Sequence, residues 1–205
     1  MNQQRKPIAW ILLGLTVAIA GVIFVKFTVN SPAAVREVPV SELVRREGRL
    51  YWMQETVPFT GIMTEKYPDG SRKSRSDMSH GVLHGVSKGW HTNGVLQVRE
   101  HFLTGVSHGF REKWFASGAK LSEASIQAGK IEGVFKRWHE NGKLAEEVQM
   151  KNGKPDGLSL AYHEDGTLKA RAKLEDGKVI EIWQSGERSE THISKTTAPA
   201  AAPAL

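Results

Sequence analysis

The sequence predicts an all-β protein: a repeat array of antiparallel β-hairpins forming an elongated, twisted meander sheet, with an N-terminal transmembrane helix added. Three observations predict it. Glycines recur every 24 residues in three series: Gly61, Gly85, Gly109, Gly133 and Gly157; Gly70, Gly94, Gly118, Gly142 and Gly166; Gly81, Gly105, Gly129, Gly153 and Gly177. Apolar residues recur with the same period at even spacings inside each unit. An uncharged apolar run of 18 residues, Ile8 to Val25, lies near the start. Fifteen of the 20 glycines fall into the three series, which rules out chance spacing. A fixed period of this kind marks a repeat architecture.

In chain order, residues 1–30 read as a cytoplasmic N-terminus and membrane anchor. The run over residues 8–25 reaches across a hydrocarbon core at about 1.5 Å per residue. Arg5 and Lys6 precede it, which keeps that end in the cytoplasm. A cleaved signal peptide is the competing reading, but its apolar core is shorter and Ser31-Pro-Ala-Ala34 makes a poor cleavage site. Both readings export the repeats to the periplasm or the cell exterior. Residues 31–60 read as a linker and entry segment. Ser41 is placed to cap a short helix ending at Gly48, and Tyr51-Trp-Met53 with Val57-Pro-Phe-Thr-Gly61 leads in as an entry strand.

Residues 61–186 carry the repeats. Asn93-Gly94 and Asn141-Gly142, with Asp69-Gly70, Ser117-Gly118 and Asp165-Gly166, separate short alternating runs, which is a hairpin signal. The second connection reads Gly-x-x-x-Gly, as in Gly105-Val-Ser-His-Gly109. Ile62, Val86, Phe110, Val134 and Leu158 follow the first glycine, and Trp90, Trp114, Trp138 and Tyr162 lie four residues further on. Met78, Phe102, Ile126, Met150 and Leu174 mark the return strand. Even spacing places each series on one strand face, and the expectation is that all these series share the buried face. One hairpin buries about four large side chains at roughly 1.5–3 kcal/mol each. Ordering its backbone costs about 1–2 kcal/mol per residue. Neighbouring units must therefore stack, indole upon indole, in a sheet of about ten or eleven strands. The tail, 187–205, has too little apolar bulk to fold and is expected to be disordered.

Composition narrows the function. The chain has 28 Lys+Arg, 22 Asp+Glu and no cysteine. Three of the cations, Arg5, Lys6 and Lys26, lie in the acid-free first 30 residues, leaving 25 against 22, a mixed surface that is no nucleic-acid footprint. Without cysteine there are no disulfides and no thiolate metal sites.

Two stretches match Gly-x-Ser-x-Gly, at Ser87 and Ser107, but a nucleophile elbow needs a strand, a sharp turn and a helix, and no helix pattern follows either. Gly89-x4-Gly94 is followed by Val-Leu, not by the residues of a phosphate loop. His91, His139 and His163 each follow the strand aromatic and form a candidate partner-binding row. The bland reading of that row is a solvated strand end. His84 and His108 precede glycines where Glu132 and Asp156 stand in other units, an interchange that argues against metal ligation. No catalytic residue, cofactor site or metal site is expected.

The pattern Gly-x-x-x-x-Trp/Tyr-x-x-Asn/Asp-Gly-x-Leu, a return strand, then Gly-x-x-x-Gly resembles the bacterial variant of the MORN repeat. It is also similar to the proteins labelled YwqK-family antitoxins. The resemblance covers residues 41–186 and implies a non-catalytic binding module. The partners it implies are the membrane, reached through residues 8–25, and a protein. No small-molecule substrate and no nucleic acid is implied. The alternative it brings is an antitoxin-like inhibitor of one cognate toxin.

Overall fold

A computed structural model describes residues 35–184. The expected anchor over residues 8–25 and the expected disordered tail lie outside them. No helix among the described residues is long and apolar enough to cross a membrane.

Five hairpin units run in chain order. Their strands are β4 (Gly61–Lys66) and β5 (Arg72–Ser79), β6 (Val82–Trp90) and β7 (Leu96–Leu103), then β8 (Val106–Trp114) and β9 (Lys120–Gln127). Next come β10 (Lys130–Ile131), β11 (Gly133–Trp138) and β12 (Leu144–Lys151), and then β13 (Lys154–Tyr162), β14 (Leu168–Glu175) and β15 (Lys178–Gln184). With β1 (Glu37–Pro39) they form one 13-stranded sheet, in which each repeat strand pairs antiparallel with its sequence neighbour. β10 and β11 are two pieces of one strand, broken at Glu132.

The second connection is tighter than the glycine pattern suggested. It is a two-residue turn of a non-glycine residue and a glycine. His80, Thr104, Ala128, Asn152 and Asp176 have φ between +47° and +52°, and the glycines that follow lie between +78° and +84°. Positive φ at both positions is the hairpin turn that matches strand twist. The second glycine of each Gly-x-x-x-Gly instead sits inside the next strand, as Gly85 does at φ +106°, beside a register shift in the β5–β6 pairing.

Register overturns the expectation of a single buried face. The return-strand residue lies opposite the glycine, not opposite the apolar residue after it: Gly61 faces Met78, Gly109 faces Ile126, and Gly157 faces Leu174. Opposed residues share a face and sequence neighbours do not. Met78, Ile126 and Leu174 are therefore buried, while Phe110 is 66% and Val134 44% exposed; Ile62, in the strand next to β1, is buried as expected. A Cβ built on glycines of this series would meet the strand before: Asp77 at Gly85, His101 at Gly109 and Gln149 at Gly157. A continuous row crosses this packed face, through Ser76, Ser87, Glu100, Arg111 and Ala124. It resumes in Phe135, Val148 and Ser159. Ser76 and Ser87 bond each other at 2.7 Å, and Arg111 and Ser107 both donate to Glu100. Ala124, Phe135 and Val148 make an apolar cluster.

The entry segment also departs from expectation. Ser41 does not cap a helix. Val40–Glu42 is a single 3-10 turn, and Leu43–Arg46 (β2) and Arg49–Trp52 (β3) form their own hairpin around Glu47-Gly48. Glu47 and Gly48 both take positive φ, the same two-residue turn the repeats use. The lead-in Val57–Thr60 is not a strand, and Tyr51 and Trp52 belong to the small hairpin. The strand that does join the sheet is β1, read from sequence as linker, which pairs parallel to β4. Val38, Phe59 and Met78 form a buried core there, covered by Leu43, Leu50 and Trp52.

Candidate functional site

The face opposite the packed row carries three parallel bands. The first is aromatic. Trp90, Trp114 and Trp138 are half-buried, and cations lie over their rings: Arg72 at 5.2 Å, Arg99 at 5.8 Å and Lys120 at 5.4 Å from the centroids. The expected indole-on-indole stack is thus replaced by alternating indoles and cations. The reason is spacing: a return strand separates successive Trp residues, which sets them about 10 Å apart at about 4.8 Å per strand.

The second band is charged. Arg99 lies opposite Glu112, Glu112 opposite Glu123, and Lys136 opposite both Glu123 and Glu147. Arg99 pairs with Glu112, and Lys120 bridges Glu112 at 3.2 Å and Glu123 at 2.6 Å. Partial burial pushes the Glu112 carboxyl up, but the hydrogen bonds and charges of Arg99 and Lys120 outweigh it and hold it below the ordinary carboxylate range. The Glu123 hydrogen bond in turn raises Lys120 against its own desolvation.

The third band is the misassigned series: Val86, Phe110, Val134 and Leu158. Between the second and third bands lies an open depression of about 450 Å³, lined by Arg99, His101, Phe110, Glu112, Glu123 and Val134. An apolar floor edged by fixed charges is suited to holding a side chain of a partner.

The three predicted histidines fall at one end of the units and do not line this depression. His91 Nε2 lies 2.9 Å from the Trp114 carbonyl, and His139 Nε2 lies 3.0 Å from that of Tyr162. The Tyr67 hydroxyl donates to the Trp90 carbonyl in the same way. These are contacts between successive units. His163 is exposed. Asn93 and Asn141 add to the same seam: each donates its amide to a carbonyl of the next turn, Ala116 and Glu164, at 2.7 Å.

At the opposite ends of the strands three of the interchangeable residues, His84, Glu132 and Asp156, acquire a common role that Thr60 shares. Thr60, His84, Glu132 and Asp156 each accept the backbone N–H of the positive-φ residue in the following turn. What they share is an acceptor, not a ligand set. Among the described residues no group of three or more His, Asp or Glu is placed to hold a metal. Ser87 and Ser107 both lie inside strands, bonded to Ser76 and Glu100, away from any strand–turn–helix junction.

Sequence reasoning missed the charged band and the exposure of Phe110. The signal for the first was that Glu112 stands midway between Phe110 and Trp114 and Lys136 midway between Val134 and Trp138, placing a charge on the face read as buried. The second required the register.

Fold and site together define a β-hairpin repeat protein with one packed face and one outward face. Residues 83–103 and 131–152 match the model described as MORN repeat variant. The two matched segments lie 48 residues apart at their starts, two periods of the array. Repeats of this kind are generally protein- or membrane-binding modules. No curated protein matches the chain.

Proposed function

We propose that this chain is a membrane-anchored, non-catalytic scaffold whose outer sheet face docks a protein partner in the periplasm or at the cell exterior. The supporting observation is the exposed Phe110, with Val134, in a depression edged by the Arg99–Glu112 pair. A bulky aromatic left open to water within a charged rim is the composition of an interaction hot spot. Phe110 contributes the apolar anchor, and Arg99, Glu112 and Glu123 contribute orientation. Of the histidine row, His163 is the member whose exposure suits partner contact, whereas His91 and His139 hold successive units together.

A photo-crosslinking residue placed at Phe110 in the full chain tests the docking face. The reading expects one dominant adduct in membranes, lost when Val134 is changed to Ser, and no adduct from the same probe placed at Glu175. Equal labelling from both positions would refute it. Topology is tested separately by a tag after Leu205, which should be reachable only from outside the cytoplasmic membrane. The narrower reading, an inhibitor of one cognate toxin, uses the same face. It adds one expectation, that co-expression rescues cells from a neighbouring toxic protein and Phe110→Ser abolishes the rescue.

A further inference from the structure

Three Asn-Gly pairs occur in the described residues, and they are not equivalent. Asn93-Gly94 and Asn141-Gly142 sit in the turns between the two strands of a unit. There the side-chain amide is held at both ends. Asn93 Oδ1 accepts from the Val95 N–H at 3.1 Å while its nitrogen donates to Ala116, and Asn141 Oδ1 accepts from Lys143 at 3.0 Å while its nitrogen donates to Glu164. Asn152-Gly153 occupies the other turn, between units. Asn152 is exposed, with φ +52°, and its backbone N–H donates to Glu132 at 2.8 Å. Among the described residues its side-chain amide has no hydrogen-bond partner.

We infer that Asn152 is a site of spontaneous deamidation, with Asn93 and Asn141 protected. Glycine has no side chain to shield its own nitrogen. The Gly153 backbone nitrogen loses its proton and bonds to the Asn152 side-chain carbonyl carbon, and the side-chain nitrogen leaves as ammonia. One water then opens the cyclic imide at either carbonyl, giving an aspartyl or an isoaspartyl linkage. Water enters and ammonia leaves, with no oxidant or reductant. The one bond that must open first is Gly153 N–H to the Ile131 carbonyl, at 3.0 Å.

The next unit shows that the turn accommodates the product. Asp176 stands at the position equivalent to Asn152, 24 residues on, and Lys154 reaches it at 2.7 Å. Lys130 is the equivalent of Lys154, and its stem lies beside the turn: a Cβ built on Gly153 would come 3.5 Å from the Lys130 Cβ. An aspartyl side chain at 152 therefore has a cation waiting. The change converts a neutral turn into an acidic one and lowers the net charge by one, without unfolding the unit.

The test is peptide mapping of the full chain after incubation in mildly alkaline buffer. Deamidation at Asn152 should exceed that at Asn93 and Asn141 by about tenfold or more, the factor set by two side-chain hydrogen bonds that must open first at the protected sites. In urea-unfolded protein the three rates should converge. Equal rates in the folded chain, or faster loss at Asn93 or Asn141, would overturn the assignment. Asn152→Asp should fold with an unchanged melting temperature, and Lys130→Ala should lower it in the Asn152→Asp background more than in the wild type. Failure of that second difference would remove the accommodation by Lys130.

Discussion

The two ends of the sheet start from the same repeat and finish differently. At the N-terminal end, non-repeat sequence folds back over the first unit. β1 pairs with β4, the β2–β3 hairpin supplies Leu43, Leu50 and Trp52, and Phe59 is only 2% exposed. Backbone bonds bind this cap to the first turn, with Gly81 donating to Phe59, Phe59 to Leu50, and Leu50 to Gly81. At the C-terminal end of the described residues β15 leaves Val179, Ile182 and Trp183 each more than 40% exposed. The lesson is that a hairpin unit does not bury its own apolar face, and that a closed end requires side chains from outside the repeat.

The largest expected effects separate these ends. Phe59→Ala should cost about 3–5 kcal/mol, as a large buried aromatic lost from a core does. Trp183→Ala should cost less than about 1 kcal/mol, mainly the contact of Arg171 with its ring 4.8 Å away. Urea denaturation of both variants checks the difference, and similar midpoints would erase the distinction between the ends.

A sharper version holds the backbone constant. Gly81 and Gly177 occupy the same turn position with φ +78° and +81°. A Cβ on Gly81 would lie 2.8 Å from the Leu50 carbonyl and the Arg49 Cβ, whereas one on Gly177 meets nothing within 4 Å. Gly177→Ala should cost about 1–2 kcal/mol for the left-handed conformation alone. Gly81→Ala adds about 1–3 kcal/mol of overpacking against the cap. Thermal melts of the pair measure the cap's contribution directly.

Smaller effects distinguish end units from middle ones. Asn141→Ala removes one donor to the next turn and should cost about 1 kcal/mol, read by chemical denaturation. The first and last units have aspartate at that position. The Ser71 hydroxyl and N–H hold the Asp69 carboxyl below the ordinary carboxylate range, and Thr167 does the same for Asp165. A depressed carboxylate stabilises the fold above its unfolded pKa, and that contribution is lost as pH falls through the folded one. On acidification below the ordinary carboxylate range, amide exchange should therefore rise first at Ser71 and Thr167. Val95 and Lys143, held by non-titrating asparagines, should lag; a simultaneous rise would show that the turn acids are irrelevant.

Much of this was legible in the chain. Positive φ is nearly free only for glycine and is next most accessible to asparagine and aspartate, so the glycine series located the turns. Alternation located the strands. Whether two apolar series share a face was not legible, because both have even spacing and only the pairing decides. Once Gly109 stands opposite Ile126, Phe110 must face outward. The segment Ser41–Gly48 shows the complementary limit. Its capping serine and terminal glycine fit a helix, but as a hairpin it packs Leu43 and Leu50 against the buried cluster of Val38, Phe59 and Met78. Among the candidate residues, sequence singled out His91, His139 and His163 by position, and could not tell that two of their rings meet a carbonyl 23 residues on.

By itself the sequence determined the repeat, its 24-residue length, its turns and its all-β class, since these follow from local backbone preference and period. Tertiary structure alone decided which face is buried, how the array is closed at one end, and which polar groups bind successive units. Those depend on register and on contacts between residues distant in the chain, where a shift of one position sends a side chain to the opposite face.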